Sequence, residues 1–526
     1  MNKADHKPTV EYGARRVIIT ITLIMASLLE LIDTTIVNVS LPVIRGNLGA
    51  TLSEISWVVA GYAMANAIIV PITGWLSSIF GRQRYFTGSI ILFTVASYMC
   101  GQSTTITGLV VWRFIQGLGG GALLATSQAI LVEIFPDDQL GFANAMFGIG
   151  AVVGPTIGPV LGGYLTDAYS WPMIFHVNIP VGILAAILTM IYIKEPPETV
   201  KTGKFDWQGL SFLIIGIGSL QVILERGSDE DWFATTYITV LTITAVIGII
   251  CFVIWELKYA ENPIVDLTIL KNRSTAIGTI FIFILGVGLY GVLFLYPQFI
   301  QNLLGFSAYQ SGISLLPGGL AALIAMPFIG IGLRKGFSPR LMAGLGFTLF
   351  FVCSFMLSNE TLQSGGVFYG DFFWPQVFRG LSTAMLFVPL TTIALAELKG
   401  AEIAQGSGLT NMARQLGGSF GLAIMATFVD YRSAYYRDHL AEHISLYKQT
   451  TQVQLHKIAE GFMAKGSSAY GAMHKAYGVL NGKLVRNVLQ LTYTDAFLYI
   501  GIFFLVCLPL LLLIKKVKSS GMPTAH

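Results

Sequence analysis

The stretch "GIGAVVGPTIGPVLGGYL", residues 148–165, decides how this chain is read. Gly150, Gly154, Gly158 and Gly162 recur every four residues, so on a helix they stack along one face. A face without side chains lets another helix come close, which is how helices pack where lipid supplies no hydrophobic drive. Pro155 and Pro159 remove two backbone donors from the same segment and are expected to bend it. A bent, glycine-faced helix suits an interface between two domains that rock. A purely structural kink is the alternative.

The surrounding composition agrees with a membrane setting. Of 526 residues, 54% are hydrophobic and 11% charged, against roughly a quarter charged in soluble domains. That excludes a large soluble enzyme. A net charge of +4 is too small to point to nucleic acid. Cys100, Cys251, Cys353 and Cys507 all fall in separate apolar segments, which supports neither a zinc site nor a disulfide framework. The first apolar run, Val17 to Val39, is long enough to stay as a helix, with no cleavage pattern after it. No G-x-x-x-x-G-K-[ST] phosphate loop, metal-spaced His/Glu motif or nucleophile elbow is present. An enzyme is therefore not expected, nor a cofactor or metal, nor transport driven by ATP on this chain alone.

Apolar runs near twenty residues recur along the whole chain and predict an all-α polytopic membrane protein of fourteen spans. The first six lie near 17–39, 54–76, 85–103, 107–131, 142–165 and 173–193. A pair follows near 207–225 and 234–255. The last six lie near 274–297, 310–333, 340–358, 372–396, 407–428 and 494–514. On that count one set of loops holds Lys3, Lys7, Arg15, Arg16, Arg82, Arg84, Lys194, Lys201, Lys204, Lys258, Lys271, Arg273, Arg334, Lys335, Arg340, Lys399, Lys515, Lys516 and Lys518. The opposite short loops hold only Arg45 and Arg226. By the positive-inside rule, both termini face the cytoplasm.

A weak repeat divides the chain. "PITGWLSSIFGR" from Pro71 answers "PFIGIGLRKG" from Pro327, and "VVWRFIQG" answers "PQVFRG", setting Arg113 opposite Arg379. Residues 1–193 then form one six-helix half and 274–526 the other, with 194–273 as a linker and two inserted helices. Two parallel halves around a midplane site is a plan of secondary transporters. The polar stretch 429–493 interrupts the second half on the extracytoplasmic side and is expected to be helical. Docking to a partner is its expected use. Its "HLAEH" pair, His439 and His443, reads as a solvated helix face or as a metal site lacking a third ligand.

The first span poses the chemical question. "LLELIDTTIVNVSLP", residues 28–42, carries two acids, Glu30 and Asp33, with Thr34 and Asn38 continuing a polar stripe. A charge at helix centre costs roughly 2.5–3.5 kcal/mol on insertion scales, so such groups mark ion or proton paths by default. The plausible basic partner is Arg113, with Gln116 one turn on and a Gly117–Gly121 step beside it. The competing reading makes Arg113 a fixed clamp between helices. Arg379 and Arg414 are further intramembrane bases, and no acid in the matching ninth span answers Asp33. Tyr62, Tyr290 and Phe294 are candidates to line a cavity, or else ordinary core and lipid-facing rings.

Taken together, "LIDTTIVNVSLP", "RFIQG", "GPTIGPVLGG", "WPMIFHVNIP", "ENPIVDL" and "FVPLTTIAL" resemble the major facilitator superfamily, in its fourteen-helix drug/proton antiporter branch of the EmrB type. The resemblance spans nearly the whole chain. It implies the major facilitator fold and proton-coupled export of hydrophobic or cationic drugs by alternating access. It also implies proton coupling through Asp33 and Arg113 and an antiporter motif in Gly150, Gly154, Pro155, Gly158, Pro159 and Gly162. The polar residues themselves make Glu30 a further proton-coupling candidate and Thr34, Asn38 and Gln116 candidates to line a substrate cavity. A periplasmic adaptor and an outer-membrane channel are the implied partners, in a bacterial inner membrane. Two features depart from the family pattern: Glu30 is an extra acid beside the family aspartate, so either carboxylate is a candidate proton carrier, and the loop after the second span differs. In "GWLSSIFGR" Ser78 stands where an acid is usual, so the usual charge latch is expected to be weakened or replaced.

Overall fold

The structure, a computed structural model, describes residues 13–136, 139–194, 206–360, 369–398, 401–444 and 447–513. Its first half is built from α1 (Ala14–Leu48), α2 (Leu52–Phe80), α3 (Arg82–Gly101), α4 (Ile106–Ile134), α5 (Leu140–Ala168), and a broken span of α6 (Met173–His176) and α7 (Asn178–Tyr192). The inserted pair is α8 (Trp207–Arg226) and α9 (Thr236–Lys258). The second half holds α10 (Arg273–Leu304), α11 (Ala308–Arg334), α12 (Pro339–Glu360), α13 (Phe373–Leu395), α14 (Ala401–Glu442), α15 (Gln449–Met463) and α16 (Ala469–Cys507). Every expected span is met by a helix. Among the described residues, twelve spans are long and apolar enough to cross a membrane. The other two are α3, which opens on Arg82, Gln83 and Arg84, and α14, rich in glycine and polar residues.

Short turns with defined chemistry set the up-and-down order. Gly49 ends α1 at φ 63° and Gly305 ends α10 at φ 74°, left-handed positions that glycine adopts without strain. Thr51 with Glu54 and Ser307 with Gln310 close capping boxes on α2 and α11. The alternation gathers one set of helix ends on a basic face. There the Arg15 guanidinium donates to Tyr192 O at 3.0 Å, Gln83 to Met190 O at 2.8 Å and Arg273 to Leu513 O at 3.1 Å. By the same alternation Arg16, Arg82, Arg84, Lys194, Lys258, Lys271, Arg334, Lys335 and Arg340 belong to this face. Lys3, Lys7, Lys201, Lys204, Lys399, Lys515, Lys516 and Lys518 lie outside the described residues. Arg45 and Arg226 end α1 and α8 at the opposite face.

The glycine-faced helix α5 sits between the halves, but its glycines do not face the other half. A Cβ on Gly154 would lie 2.7 Å from Leu31 Cβ, one on Gly158 2.0 Å from Thr35 Oγ1, and one on Gly162 2.5 Å from Ile36 O. All three contacts are with α1, inside the same half. The opposite side of α5 meets α11, where glycines of the partner helix make the room: Gly312 against Val160 and Gly319 against Thr156. The expectation of a glycine ridge at the domain boundary is thereby corrected. The ridge presses α5 onto the acid-bearing helix, and α11 supplies its own glycines for the boundary. Helix α5 runs unbroken through Pro155 and Pro159.

The inserted pair packs tightly on itself, Gly216 against Gly248, and α8 lies against both α2 and α14, covering a seam between the halves. Segment 429–493 is built mainly of helix, from the end of α14, all of α15 and the start of α16. Arg432 Nε lies 3.3 Å from Asp495 Oδ2, and the Tyr436 hydroxyl donates to the same oxygen at 2.7 Å. Leu455, Ala459, Ala472, Ala476 and Leu480 form a small apolar core between α15 and α16. His439 is exposed and stacks on Tyr435, 4.1 Å between centroids. The four cysteines are free, three of them buried and Cys251 half-buried.

Candidate functional site

Asp33 is wholly buried, and three side-chain donors converge on it. Its Oδ2 accepts from Arg113 Nη1 at 2.5 Å, and its Oδ1 accepts from Gln116 Nε2 at 2.9 Å and Asn178 Nδ2 at 3.0 Å. Four helices place these groups. Positions 113 and 116 share one face of α4, and the break at Val177 between α6 and α7 brings Asn178 to the start of α7. Ser97 of α3 holds the amides from behind, accepting from Gln116 Nε2 at 2.6 Å and Asn178 Nδ2 at 3.3 Å. Arg113, 1% exposed, also donates Nε to Val58 O at 3.2 Å and Nη1 to Gln116 Oε1 at 2.7 Å. Its guanidinium lies over the Tyr62 ring, 4.2 Å from the centroid, a cation–π contact strengthened by burial. A buried pair of this kind is tolerated only when its remaining hydrogen-bonding capacity is met. Here the carboxylate accepts three hydrogen bonds and the guanidinium donates three.

Glu30, one turn earlier, is placed differently. Asn66 of α2 donates to its Oε1 at 2.8 Å, and its Oε2 has no hydrogen-bond partner although the residue is 5% exposed. The charge that acts on it most is that of Arg414, from α14 in the other half. Arg414 is itself buried; it donates to the Tyr290 hydroxyl at 3.0 Å and to Asn411 Oδ1 at 3.3 Å, and its Nε has no partner. The two acids, though neighbours on α1, thus differ: Asp33 is bonded wholly within its own half, and Glu30, bonded to Asn66 of that half, also feels the charge of Arg414 from the other. Beyond Glu30, Thr34 is half-buried and Asn38 exposed, so access along the stripe falls with depth.

The other sequence candidates divide in the same way. Tyr62 and Gln116, expected along a cavity, are 2% and 0% exposed and belong to the packing around Arg113. The glycines of α4 explain that closeness. A Cβ on Gly117 would stand 2.5 Å from Tyr62 O, and one on Gly120 2.6 Å from the Tyr62 hydroxyl. Tyr290 and Phe294 are half-buried. Arg379 is 2% exposed and bonds Gln376 Oε1 through Nε at 2.6 Å.

Several participants escaped sequence reasoning. Asn178 stood in a quoted motif yet was not singled out, and Ser97 and Asn66 carried no periodic signal. Near the basic face a buried, uncharged network joins the halves. Gln128 Oε1 accepts from Ser407 Oγ at 3.0 Å and Asn411 Nδ2 at 2.5 Å, and Asn144 Nδ2 donates to Thr392 Oγ1 at 3.4 Å. Ser78 bonds only its own helix, to Trp75 O at 2.7 Å, while Arg82 pairs with Glu133.

Comparison with known proteins follows this geometry. The Major Facilitator Superfamily profile matches residues 23–422. Multidrug export protein EmrB of Escherichia coli (strain K12) is 35% identical over 509 residues, 97% of each chain. Fatty acid resistance protein FarB of Neisseria gonorrhoeae is 35% identical over 510 residues, 97% of this chain and 98% of that one. Among solved structures, the human organic anion transporter MFSD10 (TETRAN) superposes with a TM-score of 0.58 at 14% identity, covering 95% of this chain and 100% of that one. The proton:xylose symporter XylE superposes with a TM-score of 0.56 at 14% identity, covering 94% and 96%. At such identities the structural likeness speaks for the fold alone.

Proposed function

Because this chain belongs to the major facilitator superfamily, we propose that it works as a proton-coupled antiporter exporting hydrophobic and cationic drugs by alternating access. The observation that carries the reading is the Asp33–Arg113 pair, sealed among apolar helices where a charge is costly. As a carboxylate, Asp33 accepts three hydrogen bonds at once. Protonation at Oδ1 or Oδ2 weakens its hold on Arg113, Gln116 and Asn178, and so loosens α1 from α4 and α7. Glu30 senses the other half through Arg414, so the two carboxylates link proton loading to the approach of the halves. Tyr62, stacked on Arg113 and beside Gly120, sits between them.

The energetics suffice. One elementary charge crossing 100 mV is worth about 2.3 kcal/mol. At about 1.36 kcal/mol per tenfold change, that sustains a gradient of some tens-fold without any pH difference.

In this reading the basic face lies in the cytoplasm of a bacterial inner membrane, the halves meet there, and the Asn38 end of the stripe opens outward. Residues 1–193 and 274–526 move as the two bodies, with 194–273 as the inserted linker and helix pair. The projecting ends of α14 and α16, with α15, then stand outside the membrane and offer a dock for a periplasmic adaptor leading to an outer-membrane channel.

A second reading, a dedicated exporter of a carboxylate-bearing lipid, draws support from FarB, named for fatty acid resistance and as similar as EmrB. The deciding experiment is dissipation of a pH gradient in proteoliposomes on adding a cationic drug or a fatty acid. It compares the wild type with Asp33→Asn and Glu30→Gln. Drug-triggered proton flux lost in Asp33→Asn supports the antiport. Flux with the fatty acid only favours the second reading, and flux with neither, despite binding, sinks both.

A further inference from the structure

The matching arginine of the second half has donors and no acid. Arg379 is 2% exposed, and its Nη2 has no hydrogen-bond partner. Gln376, one turn away, turns Oε1 toward Arg379 Nε and leaves Nε2 without a partner. The hydroxyl of Tyr296, on α10, also has no partner, and it lies beside Gln376 and Ser314 within reach of the Arg379 charge. Gln376 and Tyr296 are both 0% exposed.

The groups whose charge acts on Arg379 are Cys353 and Tyr296, both neutral side chains at neutral pH. No described carboxylate pairs with it. A guanidinium removed from water without a counter-charge is among the costliest burials in a protein. Buried donors on Arg379, Gln376 and Tyr296 that make no hydrogen bond to a described residue leave a gap beside the one the charge leaves in electrostatics. Glycine on α11 lets that helix close over the guanidinium: a Cβ on Gly318 would lie 2.7 Å from Nη2.

We infer that Arg379, Gln376 and Tyr296 form a binding site for a small monovalent inorganic anion of chloride size. It occupies in the second half the place that the Asp33 carboxylate fills in the first. The near-complete burial selects a small ion over the headgroup of a long amphiphile. The inference concerns binding alone, so its failure would leave the proton antiport untouched.

The test uses the purified full chain in detergent. Thermal melting is followed as chloride replaces gluconate at constant ionic strength, and bromide is located by anomalous scattering. Expected are a saturable rise in melting temperature with chloride and a bromide peak at Arg379. Tyr296→Phe, which keeps the ring and removes one donor, should weaken the chloride effect about tenfold, and Arg379→Gln should abolish it. Equal melting of the wild type in both salts, or a chloride effect undiminished in Tyr296→Phe, overturns the site. So does displacement of bromide from Arg379 by dodecanoate, which would assign the donors to a substrate carboxylate.

Discussion

Arg113 and Arg379 stand at matching places in the two halves, one in α4 and one in α13, each buried and each bonded to a glutamine one turn away. What surrounds them differs. Arg113 is matched by Asp33, and Arg379 faces a tyrosine, a thiol and an amide. The two places thus share a buried arginine and a glutamine, and among the described residues only Arg113 has a carboxylate partner. In the proposed antiport this divides the labour: the first half would change its charge with its proton, and the second would keep a fixed positive field.

The sharpest way to break this comparison is to delete each arginine in turn. Arg113→Ala strands Asp33 and should cost about 3–5 kcal/mol of stability along with all transport. Arg379→Leu removes a charge that no acid balances, so in chloride-free buffer it should melt no lower than the wild type. Equal losses in the two variants would erase the distinction between the halves.

The glycine ridge gives the next effect. Gly162→Val drives a side chain into the Ile36 backbone and should cost about 1–3 kcal/mol with no simple remedy. Gly158→Ala meets chiefly the Thr35 side chain, so Thr35→Ala should restore much of its loss, read by melting and by transport. A smaller signal is expected from a double-mutant cycle between Glu30 and Arg414, with coupling of about 0.5–3 kcal/mol. The same cycle between Asp33 and Arg414 should give close to none. Smallest is Gln128→Leu, which loses two bonds across the basic face, worth about 1 kcal/mol each. Its readout is a shift in spin-label distances between the halves at the opposite face, with transport retained.

The sequence made the fold legible because lipid imposes a length and a polarity on every span. The fourteen runs, the repeat and the partners Asp33 and Arg113 all follow from costs that any bilayer charges. What stayed hidden depended on direction. Glu30 and Asp33 are about 60° apart on their helix, a difference too small to read without knowing where the neighbours lie, yet it gives one acid Asn66 and the other Arg113 as partner. Gln128, Asn144, Ser407 and Asn411 are uncharged and scattered over three helices, so no spacing announces their network. The glycines of α5 were visible as a face, but which helix they meet is a property of the assembled bundle.

Helix α14 has 42 residues and α16 has 39, so α14 alone runs for ~63 Å at 1.5 Å per residue, about twice the hydrocarbon thickness of a bilayer. It bears Arg414 at one depth and Asp430, Arg432 and Tyr436 further along the same continuous rod. A rod gripped inside the bundle and braced on α16 through Asp495 is a lever. A tilt of about 10° near its buried part sweeps a tip ~30 Å away through ~5 Å. Under the proposed alternating access, whatever rests on the protruding tip would be mechanically geared to the second half, and a load placed there would push back on the helix that carries Arg414.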